Sequence, residues 1–201
     1  MSKTVDPSPP APAPKAAERI LTTASELFYR EGARAVGVDE IVARAGATKP
    51  SLYRAFPSKD ALIAAYLQGQ SAYAWSYFEA AAEAHPDDPK AQILFYIDAL
   101  AERALKPSYR GCGLSNAAVE YPEPKHPGRK VAVGHKEAVR ERLREMTKAM
   151  GARKPKKLAD SLLLIIEGVF LTSQLFGTDG PASAAKGAAE ALIEAHTRHE
   201  A

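Results

Sequence analysis

The sequence predicts an all-α protein of about nine helices, on three observations. Alanine is abundant while Thr and Val are sparse, a balance that favours helix over sheet. Apolar residues recur at three- and four-residue spacing, and no stretch sustains alternation with period two. The periodic runs are separated by short breaks built on Gly and Pro, which stop helices without opening long loops.

The elements follow in order. Residues 1–14 are Pro/Ala-rich and carry no large apolar side chain beyond Met1 and Val5, so a disordered tail is expected there. From Lys15 the pattern turns helical: Ile20, Leu21, Ala24, Leu27 and Phe28 share a face, and Gly32 ends the run. A short second helix spans about 38–45, with Val38, Ile41 and Val42 inward and Gly46 as its stop. A third follows Thr48, a good N-cap, and carries Leu52, Tyr53 and Phe56. Pro50 is tolerated in its first turn, where amides have no intrahelical partner. Ser58 caps a long fourth helix reaching about Ala84. Asp88 and Pro89 supply an N-cap and a first-turn proline for a fifth, to about Lys106. A sixth covers about 111–120, and a proline-rich break over 121–128 precedes a seventh over about 129–150. The eighth runs from near Pro155 to Gly177, and the ninth from near Pro181 to near His199.

The net charge of +3 does not by itself argue for nucleic acid; placement of the charge decides. The single cysteine, Cys112, excludes an internal disulfide and fits a reducing compartment. The longest apolar run, Leu162 to Phe176, is broken by Glu167, Ser173 and Gln174, so no membrane span is expected. With no signal pattern at the N-terminus, a cytoplasmic protein is expected.

Two short helices joined by Gly46-Ala47-Thr48 suit a helix-turn-helix, since glycine lets the chain reverse sharply between them. Between Ile41 and Lys59 stand Arg44, Lys49, Arg54 and Lys59, with no acid. A single-sign stretch on two short helices suits phosphate contact, and equally a solvated basic face. The run VDEIVARAGATKPSLYRAFPSKDALIAAYL resembles the N-terminal domain of the TetR family of regulators. The shared pattern is Val38, Asp39, Ile41, Ala45, Gly46, Thr48, Leu52, Tyr53, Phe56, Ser58 and Lys59, within a likeness covering about residues 15–67. The sequence departs from that pattern at Gly37, where a hydroxyl is usual, and at Ala55, where His or Tyr is usual.

The resemblance implies a three-helix DNA-binding domain over residues 15–60 and a helical ligand-binding and dimerisation domain over 61–201. It puts Thr48, Lys49, Pro50 and Ser51 at the end of the recognition helix that faces base edges, with Lys49 toward guanine. It makes Tyr53 and Lys59 backbone-contacting positions, with Arg44 and Arg54 as further phosphate candidates. Double-stranded operator DNA is the implied partner, and a repressor released by a small-molecule effector the implied activity. A ligand-dependent activator or a corepressor-type regulator would share the architecture. A helical interaction protein that does not bind DNA is the rival class.

The eighth helix is apolar almost all round, and the ninth carries Ala184, Ala185, Gly187, Ala188 and Ala189, which allow close approach. Pairing these last two helices, about 156–177 and 182–198, across a two-fold axis would bury both in a four-helix bundle. The resemblance implies the same homodimer. Apolar walls with a few polar groups mark the middle helices as an effector pocket, with Tyr73, Tyr96, Cys112, Asn116, Phe170 and Gln174 as its candidates. The stretch RGCGLSNAAVEYPEPKHPGR also resembles C-terminal domains of one TetR branch. No nucleophile motif, glycine-rich phosphate loop or carboxylate cluster points to an enzyme, and no cofactor is implied. His196 and His199, three apart, are weak as metal ligands, and no metal site is expected.

Overall fold

The computed structural model describes residues 15–198; the tail expected over 1–14 and His199 lie outside them. Among the described residues there are nine α-helices and no strand. In chain order they are α1 (Ala16–Glu31), α2 (Val38–Arg44), α3 (Lys49–Ala55), α4 (Lys59–Ala84), α5 (Pro89–Ala104), α6 (Gly113–Glu120), α7 (Pro127–Ala149), α8 (Pro155–Phe176) and α9 (Ala185–Thr197). The starts follow side-chain capping: Thr48 Oγ1 accepts from Ser51 N–H at 3.3 Å, Ser58 Oγ from Ala61 N–H at 3.0 Å, and Asp88 Oδ1 from Ala91 N–H at 2.9 Å.

Three helix starts differ from expectation, and α5 ends at Ala104, two residues short of the expected Lys106. Helix α7 begins inside the expected proline-rich break: His126 caps it, its Nδ1 accepting from Gly128 N–H at 3.1 Å, and Pro127 fills the first turn, where no amide is needed. Helix α6 starts at Gly113, so Cys112 is its N-cap rather than a member of its first turn. Pro181–Ala184 forms a 3-10 turn, and α9 starts only at Ala185.

Two hydrophobic clusters organise the molecule. The first joins α1, α2 and α3 through Ile20, Leu27, Phe28, Ile41 and Leu52. It also takes Leu62, Ile63, Tyr66 and Leu67 from the start of α4, and Leu114, Ala117 and Tyr121 from α6 and its end. The second packs α4, α5, α7, α8 and α9 around Ile93, Ile97, Leu143, Leu158, Leu162 and Ile193. Helix α4 therefore runs from one cluster into the other, and α6 is wedged beside it.

By length and composition alone α8 is apolar enough to cross a membrane, contrary to the expectation that no run would be. Its Leu158, Ala159, Leu162, Ile166 and Val169 are buried in the second cluster, as a core helix requires. Its other face keeps Leu164, Leu171, Leu175 and Phe176 exposed, at 74, 59, 65 and 60%.

His135 is buried on α7 beside the ring of Trp75, with Ser71 Oγ 2.9 Å from its Nδ1. Burial, then repulsion by Lys136, opposed by Glu167, pushes its pKa down to about 4. The unfolded chain therefore binds the proton first, and stability is lost as pH falls from the ordinary value of 6.5 toward 4. Thermal unfolding of the wild type is expected to show a falling midpoint across that window. His135→Gln flattens that fall.

Candidate nucleic-acid interface and internal cavity

Helices α2 and α3 are joined by a turn in which Gly46 has φ +57°, a left-handed conformation that costs glycine little. The turn is held from outside. Arg19 of α1 donates from Nε to Ala45 O and from a terminal nitrogen to Gly46 O, each at 3.3 Å. A guanidinium at the carbonyl end of α2 also complements the helix dipole. Arg19 was not among the sequence candidates, because nothing in an arginine on an amphipathic helix marks it as a turn clamp. Arg19→Ala is expected to cost about 1 kcal/mol. That lowers the thermal midpoint by roughly 2–4 °C, readable by scanning calorimetry.

Buried Leu52 anchors α3 on the first cluster, which turns its opposite side to solvent. Lys49, Pro50, Tyr53 and Arg54 are exposed, Tyr53 at 47%, so its ring is not a core aromatic. Thr48 and Ser51 form a reciprocal cap. Ser51 Oγ donates to Thr48 O at 2.7 Å, and Thr48 N–H donates to Ser51 Oγ at 3.0 Å. Lys59 sits apart, its Nζ donating to Arg34 O at 3.2 Å in the α1–α2 loop, and partial burial lowers its pKa.

The basic stretch is less free than its sequence suggests. Lys49 Nζ lies 2.7 Å from Asp39 Oδ1, which raises the lysine pKa. Arg44 lies 2.8 Å from Glu40 and 3.8 Å from Glu31. The acids come from α1 and the start of α2, outside the interval that reads as acid-free. Exposed pairs of this kind are worth about 0.2–1 kcal/mol, so a phosphate can displace them. Asp39→Asn is expected to tighten binding to random-sequence duplex DNA up to about fivefold, less at high salt. Fluorescence anisotropy across a salt series reads this.

A cavity of about 30 Å³ lies among α4, α5, α7 and α8 at the start of α6. That is room for about two waters. Of the six pocket candidates, Tyr96, Cys112 and Phe170 line it. Asn116 and Gln174 line an outer groove of about 240 Å³ between α6 and α8, which shares Cys112, Glu167 and Phe170 with the cavity. Tyr73 lines a groove of about 270 Å³ against α1, which shares Gln70 and Arg103 with it. Asn116 is also committed locally, its Nδ2 donating to Arg110 O at 2.8 Å.

Charged residues that the sequence did not single out face this cavity. Lys136 Nζ is 2.5 Å from Glu167 Oε1, and Ser115 Oγ donates to Glu167 Oε2 at 2.8 Å, tying α6, α7 and α8 together. Lys136 is also 3.5 Å from Cys112 Sγ. Next to the cavity, Gly111 has φ +77°, and a Cβ there would stand 2.2 Å from Gln174 Nε2. Its carbonyl accepts from Tyr29 of α1 at 3.1 Å, and Arg110 N–H donates to the same hydroxyl at 3.0 Å. At the other end of α6, Glu120 accepts from Arg34 N–H at 2.9 Å. The segment from Arg110 to Glu120, which contains α6, thus touches α1 at one end and the α1–α2 loop at the other.

Among the described residues no group of three or more His, Cys, Asp or Glu side chains is placed to hold a metal. His196 Nδ1 lies 2.9 Å from Leu192 O in its own helix.

Residues 20–66 match the family model described as bacterial regulatory proteins, tetR family. Over 50 residues the chain is 50% identical to the HTH-type transcriptional activator FasR of Mycolicibacterium smegmatis, a match covering 25% of this chain and 23% of FasR. A 41-residue segment is 51% identical to the regulator YxaF of Bacillus subtilis, covering 20% of this chain and 22% of that protein. The matched segments thus span less than a quarter of these two curated relatives. Over the whole fold the chain is similar to SCO4454, a TetR-family transcriptional regulator from Streptomyces coelicolor. The TM-score is 0.86 at 28% identity, over 91% of this chain and 96% of that one. A TetR-family regulator from Agrobacterium tumefaciens shares the fold, with TM-score 0.75 at 19% identity, over 91% of this chain and 98% of that one.

Proposed function

We propose, from the membership of this chain's N-terminal helices in the tetR family of bacterial regulatory proteins, that the protein is a homodimeric transcriptional repressor released from operator DNA by a small-molecule effector. The observation that carries the reading is the placement of α3. Within the matched segment, buried Leu52 and the Thr48–Ser51 cap hold a short helix whose outer side offers Lys49, Pro50, Tyr53 and Arg54. Residues 15–60 form the DNA-binding unit in this reading, and residues 61–201 the effector-binding and dimerisation unit. Lys49 addresses a base edge once Asp39 releases it, Ser51 a base or a phosphate, and Tyr53, Arg54 and Arg44 the backbone. Lys59 acts through Arg34, by fixing the α1–α2 loop.

Two copies are needed because a short helix reads only part of a site. Two recognition helices about 34–36 Å apart meet successive major grooves on one face of the duplex. The exposed Leu164, Leu171 and Leu175 of α8, with the small residues of α9, support self-pairing of these helices. Effector binding among α4 to α8 would favour a different arrangement of α4 and α6, and the loss of DNA affinity equals its differential affinity for the two arrangements. The match to FasR, named as an activator, favours a second reading in which the effector promotes activation at the same DNA site.

Anisotropy of the full-length protein with duplexes from around its own gene, with random-sequence competitor, tests the reading. Nanomolar binding that resists competitor supports it. Failure to bind any duplex, even at low salt, contradicts it.

A further inference from the structure

We infer that the effector is an apolar, ring-bearing acid whose anionic group binds Arg103 and whose body lodges among Tyr77, Tyr96 and Phe170. This rests on the reading of the middle helices as an effector site. Three side chains of charged type border the cavity: Arg103, Lys136 and Glu167. Lys136 and Glu167 neutralise each other at 2.5 Å, and the Ser115 hydroxyl adds a third member to that pair. Arg103 has no carboxylate within ion-pair distance among the described residues. Instead its guanidinium lies 4.7 Å from the ring centre of Tyr73 and 5.6 Å from that of Tyr109. Ring faces attract a cation without cancelling its charge. The site therefore carries one uncompensated positive charge in an aromatic setting, and its complement is an anion on an apolar frame.

The geometry of Arg103 narrows the class further. A guanidinium presents a planar fork that a carboxylate or sulfonate meets with two charge-assisted hydrogen bonds, about twice as strong as those a neutral acceptor makes. Arg103 stands where the cavity meets the 270 Å³ groove against α1. Gln70 and Arg103 line both spaces, so rotation of the uncharged Gln70 side chain is the way the 30 Å³ cavity opens toward the groove while Arg103 stays in place. Glu26 is the carboxylate lining that groove, which places the ligand's anionic group on the cavity side of Arg103. There the rings of Tyr77, Tyr96 and Phe170 supply the apolar walls.

The test uses full-length protein and two probes that differ in one group. 8-Anilinonaphthalene-1-sulfonate carries the anion, and N-phenyl-1-naphthylamine is its neutral counterpart. Energy transfer from Trp75, the single tryptophan and a residue of α4, weights the readout toward probe bound near that helix. The expected result is saturable binding of both, with the sulfonate at least tenfold tighter. Arg103→Gln removes that preference and leaves the neutral probe within twofold; the double variant Lys136→Gln/Glu167→Gln, which removes the ion pair as a unit, leaves the preference intact. Arg103→Lys, which keeps the charge and the fold but loses the fork, retains only part of it. Equal affinity of the two probes for the wild type overturns the inference, as does a preference that survives Arg103→Gln or vanishes with Lys136→Gln/Glu167→Gln. If the neutral probe binds and the anion gains nothing, the acid class fails while the effector site stands. If neither probe binds, the effector-site reading fails with it.

Discussion

Lys49→Ala in the full-length protein is expected to weaken operator binding by about 5- to 150-fold, the 1–3 kcal/mol that a base-directed side chain carries. Its thermal midpoint should stay within a degree or so of wild type, because an exposed substitution away from the core is nearly neutral. The side chain is exposed, and its ion pair is with Asp39, itself 81% exposed, so its removal leaves no buried group unpaired. The helix remains anchored by Leu52 and capped by Thr48. Lys59→Ala is the informative contrast. That lysine holds Arg34 O, so its loss should reduce stability as well as DNA affinity. Parallel anisotropy and calorimetry on the two variants separate recognition from support.

Leu171→Arg is expected to produce the second large effect, on assembly. Leu171 is 59% exposed in the C-terminal half of the outer face of α8, between Leu164 and Leu175, so the variant chain still folds. In a two-fold pairing the residue meets its own copy or a near neighbour. Two new guanidiniums would then be desolvated without partners. A penalty on the order of 3 kcal/mol or more weakens dimerisation at least about a hundredfold. Sedimentation velocity should show monomer at micromolar concentration, with operator affinity falling in parallel while helix content is unchanged.

What the sequence disclosed and what it withheld divide along physical lines. Caps and stops act within three or four residues, so Thr48, Ser58 and Asp88 marked their helices correctly. The same local reasoning misplaced the start of α7, because Pro127 and Gly128 look like a break unless His126 is seen to cap them. The pairing of Lys49 was hidden because its partner, Asp39, stands ten residues earlier, on α2. Only the packing of α2 against α3 brings the two together. The cavity was half legible. Tyr96 and Phe170 betray themselves as apolar positions, whereas Arg103, Lys136 and Glu167 look like solvated faces of amphipathic helices. Which of those faces turns inward depends on how α5, α7 and α8 rotate about one another, and a single helical periodicity does not encode that.

The most direct test of the account is selection of bound fragments from sheared genomic DNA of the source organism by the purified full-length protein, with sequencing of what is retained. The expected result is enrichment of an inverted repeat whose half-site centres lie about 10 base pairs apart, or a multiple of that. That enrichment is lost with Lys49→Ala and with Leu171→Arg. Retention of fragments without any shared sequence, or the same enrichment by Lys49→Ala as by the wild type, would contradict it.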